Sequence, residues 1–191
     1  MKFPCRYSKY RCKNTLPYNE FREHEAICGY MPQTCPVDYL RLRRICTWTG
    51  TYKDIKQHLL TAHKDLCEDY NGALIIVLPS SKASTFRQKF FFAYNEIFCY
   101  RLIIQYGTMF VFLHYIGLAG NDSKYQYRVM VKNNEDTEGL IVTHQARSFN
   151  KTEDDLLNRK DCLKLHCDYI ERFRNEQGYL TVSVEIFGVD D

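Results

Sequence analysis

Eight cysteine and histidine residues in the first third of the chain have the types and spacing of zinc ligands. They fall into two groups, Cys5-x6-Cys12-x11-His24-x3-Cys28 and Cys35-x10-Cys46-x11-His58-x4-His63. Thiolate sulfur and imidazole nitrogen are the ligands that zinc takes in tetrahedral protein sites. The two groups also form an internal repeat, because each has two cysteines, an eleven-residue spacer and a closing pair of ligands. We therefore predict two bound zinc ions, one for each group.

The ligand count predicts structural zinc sites. Four protein ligands leave no open position for a water molecule, so we expect no zinc-dependent hydrolysis. A disulfide scaffold is the weaker alternative, because the chain has nine cysteines, an odd number, and its first residues lack the apolar core of a secretory signal. Any one of these residues by itself could be an ordinary buried side chain, but eight in matched spacings favour zinc. We accordingly expect a cytoplasmic protein that can also be nuclear.

A short hairpin and a short helix are predicted to position the first group. Cys5 and Cys12 would flank the turn of the hairpin. Asn19 can cap a helix that runs to about Ala26, after Pro17. The last two ligands are four residues apart, so we expect them on one face of that helix.

The second group repeats this plan. Thr51 is predicted to cap the helix, with Asp54 three residues later in a near capping box. Trp48 and Leu59 or Leu60 would supply a small apolar core beside the metal. A finger of about 30 residues cannot bury enough surface to fold alone, so we expect zinc binding to supply the missing stability.

Charge and cysteine content both change near residue 66. Residues 1–66 carry 12 Lys and Arg against 6 Asp and Glu, whereas the remainder is slightly acidic. The basic excess suggests a nucleic-acid-binding zinc protein as one hypothesis. Arg41, Arg43 and Arg44 could contact nucleic acid or an acidic partner, and a solvated loop is the alternative interpretation of these three residues. DNA-reading fingers usually place their cysteines two to four residues apart, not six or ten, so we give this hypothesis less weight.

Short apolar runs separated by turn residues fill the rest of the chain. They lie at residues 73–78, 89–94, 97–106, 109–117, 125–132, 139–145 and 179–187, with short helices predicted at 153–158 and 168–175. This pattern indicates an antiparallel β-sandwich of about eight strands. We predict a mostly β protein with a small zinc-bound α+β part, divided into residues 1–66 and 67–191.

Motifs in both parts carry a family resemblance. They are Phe3-Pro4-Cys5, Thr15-Leu16-Pro17 and Cys46-Thr47-Trp48 in the first part, and Ala146-Arg147-Ser148, Asp161-Cys162-Leu163 and Gly178-Tyr179-Leu180 in the second. With the zinc spacing, they resemble the C-terminal portion of the seven-in-absentia (Sina/Siah) family of RING-type ubiquitin ligases. The resemblance implies two zinc fingers followed by a TRAF-like β-sandwich, and it places all eight Cys and His residues at the family's zinc-ligand positions.

The resemblance also implies a function. It predicts a substrate-recognition and dimerisation module that binds target proteins for ubiquitination and proteasomal degradation, as a homodimer. We identify no catalytic residues in this chain, and no RING motif precedes Cys5. A ubiquitin-conjugating enzyme is therefore an expected partner only if a RING is present elsewhere. The alternative hypothesis is a RING-less adaptor or decoy.

The resemblance further implies that an extended target peptide pairs with a sheet edge. We align this edge with residues 86–92 and predict the partner-binding residues Gln88, Lys89, Phe90 and Phe91. Burial of the phenylalanines in the core is the competing interpretation. No apolar run reaches the ~18 residues of a membrane span, so we expect no membrane partner.

Overall fold

The chain forms two compact units that meet in sequence at Cys67 and Glu68. The computed structural model describes residues 1–37, 45–79, 84–118, 120–135, 137–151, 153–158 and 161–189. We call residues 1–67 with 117–118 the zinc unit, and residues 68–116 with 120–189 the two-sheet unit. Among the described residues, no helix is both long enough and apolar enough to cross a membrane.

The zinc unit is built from a repeated hairpin and helix. The antiparallel hairpins pair β1 (Lys2–Pro4) with β2 (Thr15–Pro17) and β3 (Pro32–Thr34) with β4 (Thr49–Thr51). A single turn of 3-10 helix follows each hairpin and leads into α1 (Phe21–Ala26) or α2 (Ile55–Ala62). The internal repeat of the sequence is therefore a repeat of structure.

The two helices begin differently. Thr51 donates its backbone N–H, at 3.1 Å, and its hydroxyl, at 2.7 Å, to the carboxylate of Asp54, which confirms the predicted capping box. The prediction that Asn19 caps α1 was wrong. Asn19 lies inside the 3-10 turn Tyr18–Glu20, and α1 begins after Glu20 without a side-chain cap.

The two-sheet unit contains ten strands in its described part, where the sequence predicted about eight. One sheet has the order β11-β10-β14-β6, and the other has the order β12-β9-β8-β7-β5, with β13 also paired to β9. The strands are β5 (Cys67–Glu68), β6 (Leu74–Leu78), β7 (Thr85–Ala93), β8 (Glu96–Gln105), β9 (Thr108–Ile116), β10 (Tyr125–Lys132), β11 (Gly139–Gln145), β12 (Arg147–Ser148), β13 (Leu163–His166) and β14 (Leu180–Gly188).

Most of these pairings are antiparallel, as predicted, but β12 runs parallel to β9, with Arg147 opposite His114. The short strands β12 and β13 were not predicted. Two short helices, α3 (Glu153–Asn158) and α4 (Cys167–Ile170), complete the unit. The prediction of a mostly β protein with few short helices is thus confirmed.

The main core lies between the inner faces of the two sheets. Alternation decides which side chains enter it: in β10, Tyr127, Val129 and Val131 are buried, whereas Arg128 is exposed. The opposite sheet contributes aromatic and aliphatic residues such as Phe98 to the same cluster. This core is large and apolar and needs no metal to close it.

Candidate metal centres

The structure brings the first four predicted ligands together. Cys5 follows β1 directly and Cys12 precedes β2, so the hairpin presents two thiols from its ends. His24 comes from α1. The sulfur atoms of Cys5 and Cys28 lie 3.9 Å apart, and Cys12 Sγ lies 3.5 Å from His24 Nε2. All four ligand atoms are within 4.8 Å of one another.

Cys28 reaches this site from beyond the helix, so the prediction of one shared helical face was wrong. The helix ends at Ala26, and the N–H of Ile27 bonds to the carbonyl of His24 three residues back, at 3.1 Å. This tighter turn leads the chain out of the α-helix before Cys28. The Cys28 thiol is therefore placed by a turn. The four-residue spacing correctly predicted that Cys28 joins His24 in one site, but it did so through a helical geometry that the chain does not adopt.

The second four predicted ligands also converge. Cys35 follows β3 directly, Cys46 precedes β4, His58 lies within α2 and His63 ends that helix. Cys35 Sγ is 3.3 Å from Nε2 of His63, and Cys46 Sγ is 3.6 Å from Nε2 of His58. These ligand atoms again lie within 4.8 Å of one another.

Both groups have the dimensions of a tetrahedral zinc site. Zinc–sulfur bonds of about 2.3 Å and zinc–nitrogen bonds of about 2.0–2.1 Å place two sulfurs about 3.8 Å apart and a sulfur and nitrogen about 3.6 Å apart. The observed separations are 3.9 Å for two sulfurs and 3.3–3.6 Å for sulfur and nitrogen. The donor sets, Cys3His and Cys2His2, are those of structural zinc.

The surroundings of the ligands couple metal binding to the release of protons. Burial, and then the neighbouring thiols, raise the pKa of Cys28 and of Cys35 to about 11. Burial lowers the pKa of His58, which favours the neutral imidazole that binds metal. Zinc must therefore displace thiol protons when it binds, as it does in other cysteine sites.

Neighbouring side chains hold the ligands in place. The ring of Trp48 stacks on His58, with centroids 4.3 Å apart and planes 5° from parallel. Gly50 makes this possible, because a Cβ there would lie 2.3 Å from the Trp48 ring. The role of Gly50 was not predicted, although a glycine two residues after the only tryptophan was the available signal. In the first site, the Asn14 amide nitrogen lies 3.4 Å from Nδ1 of His24.

The predicted partner-binding residues lie in β7, which has β8 on one side and β5 on the other. Gln88, Phe90 and Phe91 are buried, and Phe91 belongs to the main core of the two-sheet unit. Lys89 forms an ion pair with Glu68 at 3.2 Å. The structure thus shows three of these four side chains away from the surface. The predicted contacts Arg41, Arg43 and Arg44 lie outside the described residues.

Comparison with known proteins finds similarity to one family model and to several ubiquitin-protein ligases. Residues 1–73 match the family model described as "Sina, zinc finger". The human E3 ubiquitin-protein ligase SIAH2 is 39% identical over 64 residues, which cover 34% of this chain and 18% of that protein. The Drosophila melanogaster E3 ubiquitin-protein ligase sina is 24% identical over 198 residues, which cover 97% of this chain and 59% of that protein. The chain thus spans less than two thirds of the length of either relative.

Proposed function

We propose that this chain is a substrate-recognition and dimerisation module of a ubiquitin ligase of the Sina/Siah family. The Sina zinc-finger match and the ligase relatives support this proposal. The observation that carries the proposal is the alignment of 97% of the chain with Drosophila sina, a protein named as an E3 ubiquitin-protein ligase. The two zinc-binding groups match the Sina zinc-finger region, and together they support two zinc ions.

In this proposal the two-sheet unit is a TRAF-like β-sandwich that captures target proteins. Its contribution to ubiquitination would be proximity, because a captured target is held near a charged conjugating enzyme and its lysine reacts at a raised effective concentration. The conjugating enzyme would be recruited by a RING, and the captured protein would then be degraded by the proteasome.

An extended target segment would pair with a sheet edge, where main-chain hydrogen bonds supply affinity. We place it on β11, which pairs only with β10 among the described strands. Side chains of β11 alternate between exposed and half-buried, and Ile141 is 57% exposed. Such alternation suits a strand that presents every second side chain to a partner. We prefer this edge to the predicted residues of β7, because Gln88, Phe90 and Phe91 are buried.

The test is a screen of extended peptides against the zinc-loaded chain, followed by affinity measurements with two variants. Ile141→Asp should weaken binding of a selected peptide at least tenfold, because it places a charge against the added strand. Ile75→Asp is the matched control, since Ile75 is 59% exposed on β6 at the opposite edge of the same sheet. Equal losses in both variants would exclude β11 as the docking edge, and failure to select any peptide would count against recognition itself.

Dimerisation and localisation complete the proposal. An isologous homodimer is the default symmetric arrangement for such a module, and sedimentation of the zinc-loaded chain at several concentrations tests it. A purely monomeric chain at all concentrations would contradict it. None of the nine cysteines, all of which lie in the described part of the chain, forms a disulfide. Thiols without disulfides suit a reducing compartment, so we propose the cytoplasm and nucleus.

A further inference from the structure

A basic cleft within the zinc unit is not used by the zinc sites or by the proposed peptide edge. It has a volume of about 680 Å³ and lies between elements of the two zinc fingers. We call it the finger cleft and define it by Lys9, Tyr10, Arg11, Tyr30, Lys53 and Asp54. Its volume falls within the range of protein sites that hold ligands.

The finger cleft is positively charged. Lys9, Arg11 and Lys53 are all exposed, and within the described part of the chain none of them forms an ion pair. The one carboxylate of the cleft, Asp54, accepts hydrogen bonds from the backbone and hydroxyl of Thr51. The cleft is thus lined by three cations and one carboxylate that already serves a helix cap, which leaves a net positive site for an anionic group.

The aromatic rings of the cleft are already covered by ammonium groups. Lys53 Nζ lies 4.5 Å from the centroid of the Tyr30 ring and donates a hydrogen bond to its hydroxyl at 3.1 Å. Lys9 Nζ lies 5.0 Å from the centroid of Tyr10. A nucleic-acid base would have to displace these ammonium groups to stack on the rings. A carboxylate could instead bind each ammonium from its solvent side while the cation stays on the ring.

We propose that the finger cleft binds a short acidic segment of a partner protein, with Lys9, Arg11 and Lys53 pairing with its carboxylates. The acidic segment is favoured over single-stranded nucleic acid because it uses the observed lysine positions unchanged. The residues of the finger cleft all belong to the zinc unit, so the cleft is a different site from the β11 edge of the proposed function.

The test uses the full zinc-loaded chain and fluorescein-labelled hexaglutamate, with hexaglutamine and hexathymidylate as the other probes. The cleft variant carries Lys9→Gln, Arg11→Asn and Lys53→Gln. Asparagine is chosen because Arg11 has a left-handed backbone with φ of 81°, which asparagine tolerates. The control variant carries Lys2→Gln, Lys13→Gln and Lys64→Gln, which removes the same charge from exposed positions of the zinc unit outside the cleft.

At low salt, hexaglutamate should bind and hexaglutamine should not. The cleft variant should weaken hexaglutamate binding at least tenfold, and the control variant should change it less than threefold. Equal weakening by both variants would overturn the proposal, because net charge alone would explain the binding. Tighter binding of hexathymidylate than of hexaglutamate would also overturn it and favour nucleic acid.

A measurement on the unmodified chain protects the test against a misfolded variant. Both variants should retain two zinc ions. If the cleft variant does not, NMR of the unmodified protein decides the matter: hexaglutamate should shift the ring signals of Tyr10 and Tyr30. Unshifted rings at saturating peptide would place the binding elsewhere and reject the cleft.

Discussion

The two units of this chain are stabilised by different physics. The zinc unit buries few aliphatic side chains, among them Val37, Ile55 and Leu59, and most of its other buried side chains are metal ligands. The two-sheet unit buries a continuous cluster that draws on both of its sheets. A short finger cannot bury enough apolar surface to offset chain entropy, so metal coordination must replace the missing core. One chain thus contains a metal-dependent part and a part stabilised by apolar burial.

Removal of zinc should show the difference between the two units most clearly. Structural zinc supplies on the order of 10–16 kcal/mol in isolated finger peptides, which is as large as the whole free energy of unfolding of a typical domain. After chelation, amides of α1 and α2 should exchange rapidly with solvent, whereas amides of β8 and β9 should stay protected. Hydrogen exchange with mass spectrometry measures both at once, and chelator presaturated with zinc is the control. A zinc unit that remains protected without metal would contradict the two-zinc interpretation.

A substitution that leaves a cavity in the apolar core should destabilise the two-sheet unit. Phe98 is fully buried, with its ring 5.5 Å from Phe91 and 5.0 Å, edge to face, from Tyr125. Phe98→Ala should lower the free energy of unfolding of the two-sheet unit by about 3–5 kcal/mol. Urea denaturation followed through the exchange of β8 amides measures this loss, while the zinc content should stay at two.

The matched control for Phe98→Ala is Tyr106→Ala. Tyr106 is 98% exposed in the turn after β8, so its removal should change stability by no more than about 0.5 kcal/mol. If Phe98→Ala instead released zinc as readily as it lowered stability, the two units would not be separately stabilised.

The predictions from sequence were most accurate where the chemistry of a site restricts the spacing of its residues along the chain. Zinc needs four ligands of two residue types, so two matched groups were recognisable without any structure. Strand β10 was predicted with its bounds because Tyr127, Val129 and Val131 fall on one face and polar residues such as Arg128 on the other. The capping pair Thr51 and Asp54 was predictable because it acts between residues that are neighbours in sequence.

The sequence predicted poorly where distant partners decide the outcome. Residues 86–92 were predicted to be an edge; β7 pairs with β8 along its whole length and, on its other side, with the two-residue strand β5, a partner that the local sequence does not indicate. Strands β12 and β13 are short and gain their pairing from β9, so no local pattern marks them. Cys28 lies outside its helix because a turn at Ile27 ends the helix early.

Lowering the pH should reduce the stability of the two-sheet unit, and this effect is smaller than those above. His114 in β9 is buried, with Phe112 stacked beside it, and its Nδ1 has no hydrogen-bond partner among the described residues. Burial, and then the charge of Arg101, lower the pKa of His114 from 6.5 to about 3. Between these two values the unfolded chain binds a proton that the folded chain excludes. The contribution of His114 to stability is therefore complete above pH 6.5 and is lost as the pH falls toward 3.

This linkage predicts a slope of up to about 1.4 kcal/mol per pH unit in the stability of the two-sheet unit, or about 2 kcal/mol lost by pH 5. His114→Gln should remove most of the slope, whereas His166→Gln should preserve it, because the His166 side chain is 67% exposed. Exchange of β8 amides reports on this unit, and released zinc, measured in parallel, reports on ligand protonation in the other. If His114→Gln leaves the slope intact, His114 is not the group that takes up the proton, and the parallel zinc measurement shows whether the loss of protection accompanies protonation of the metal ligands.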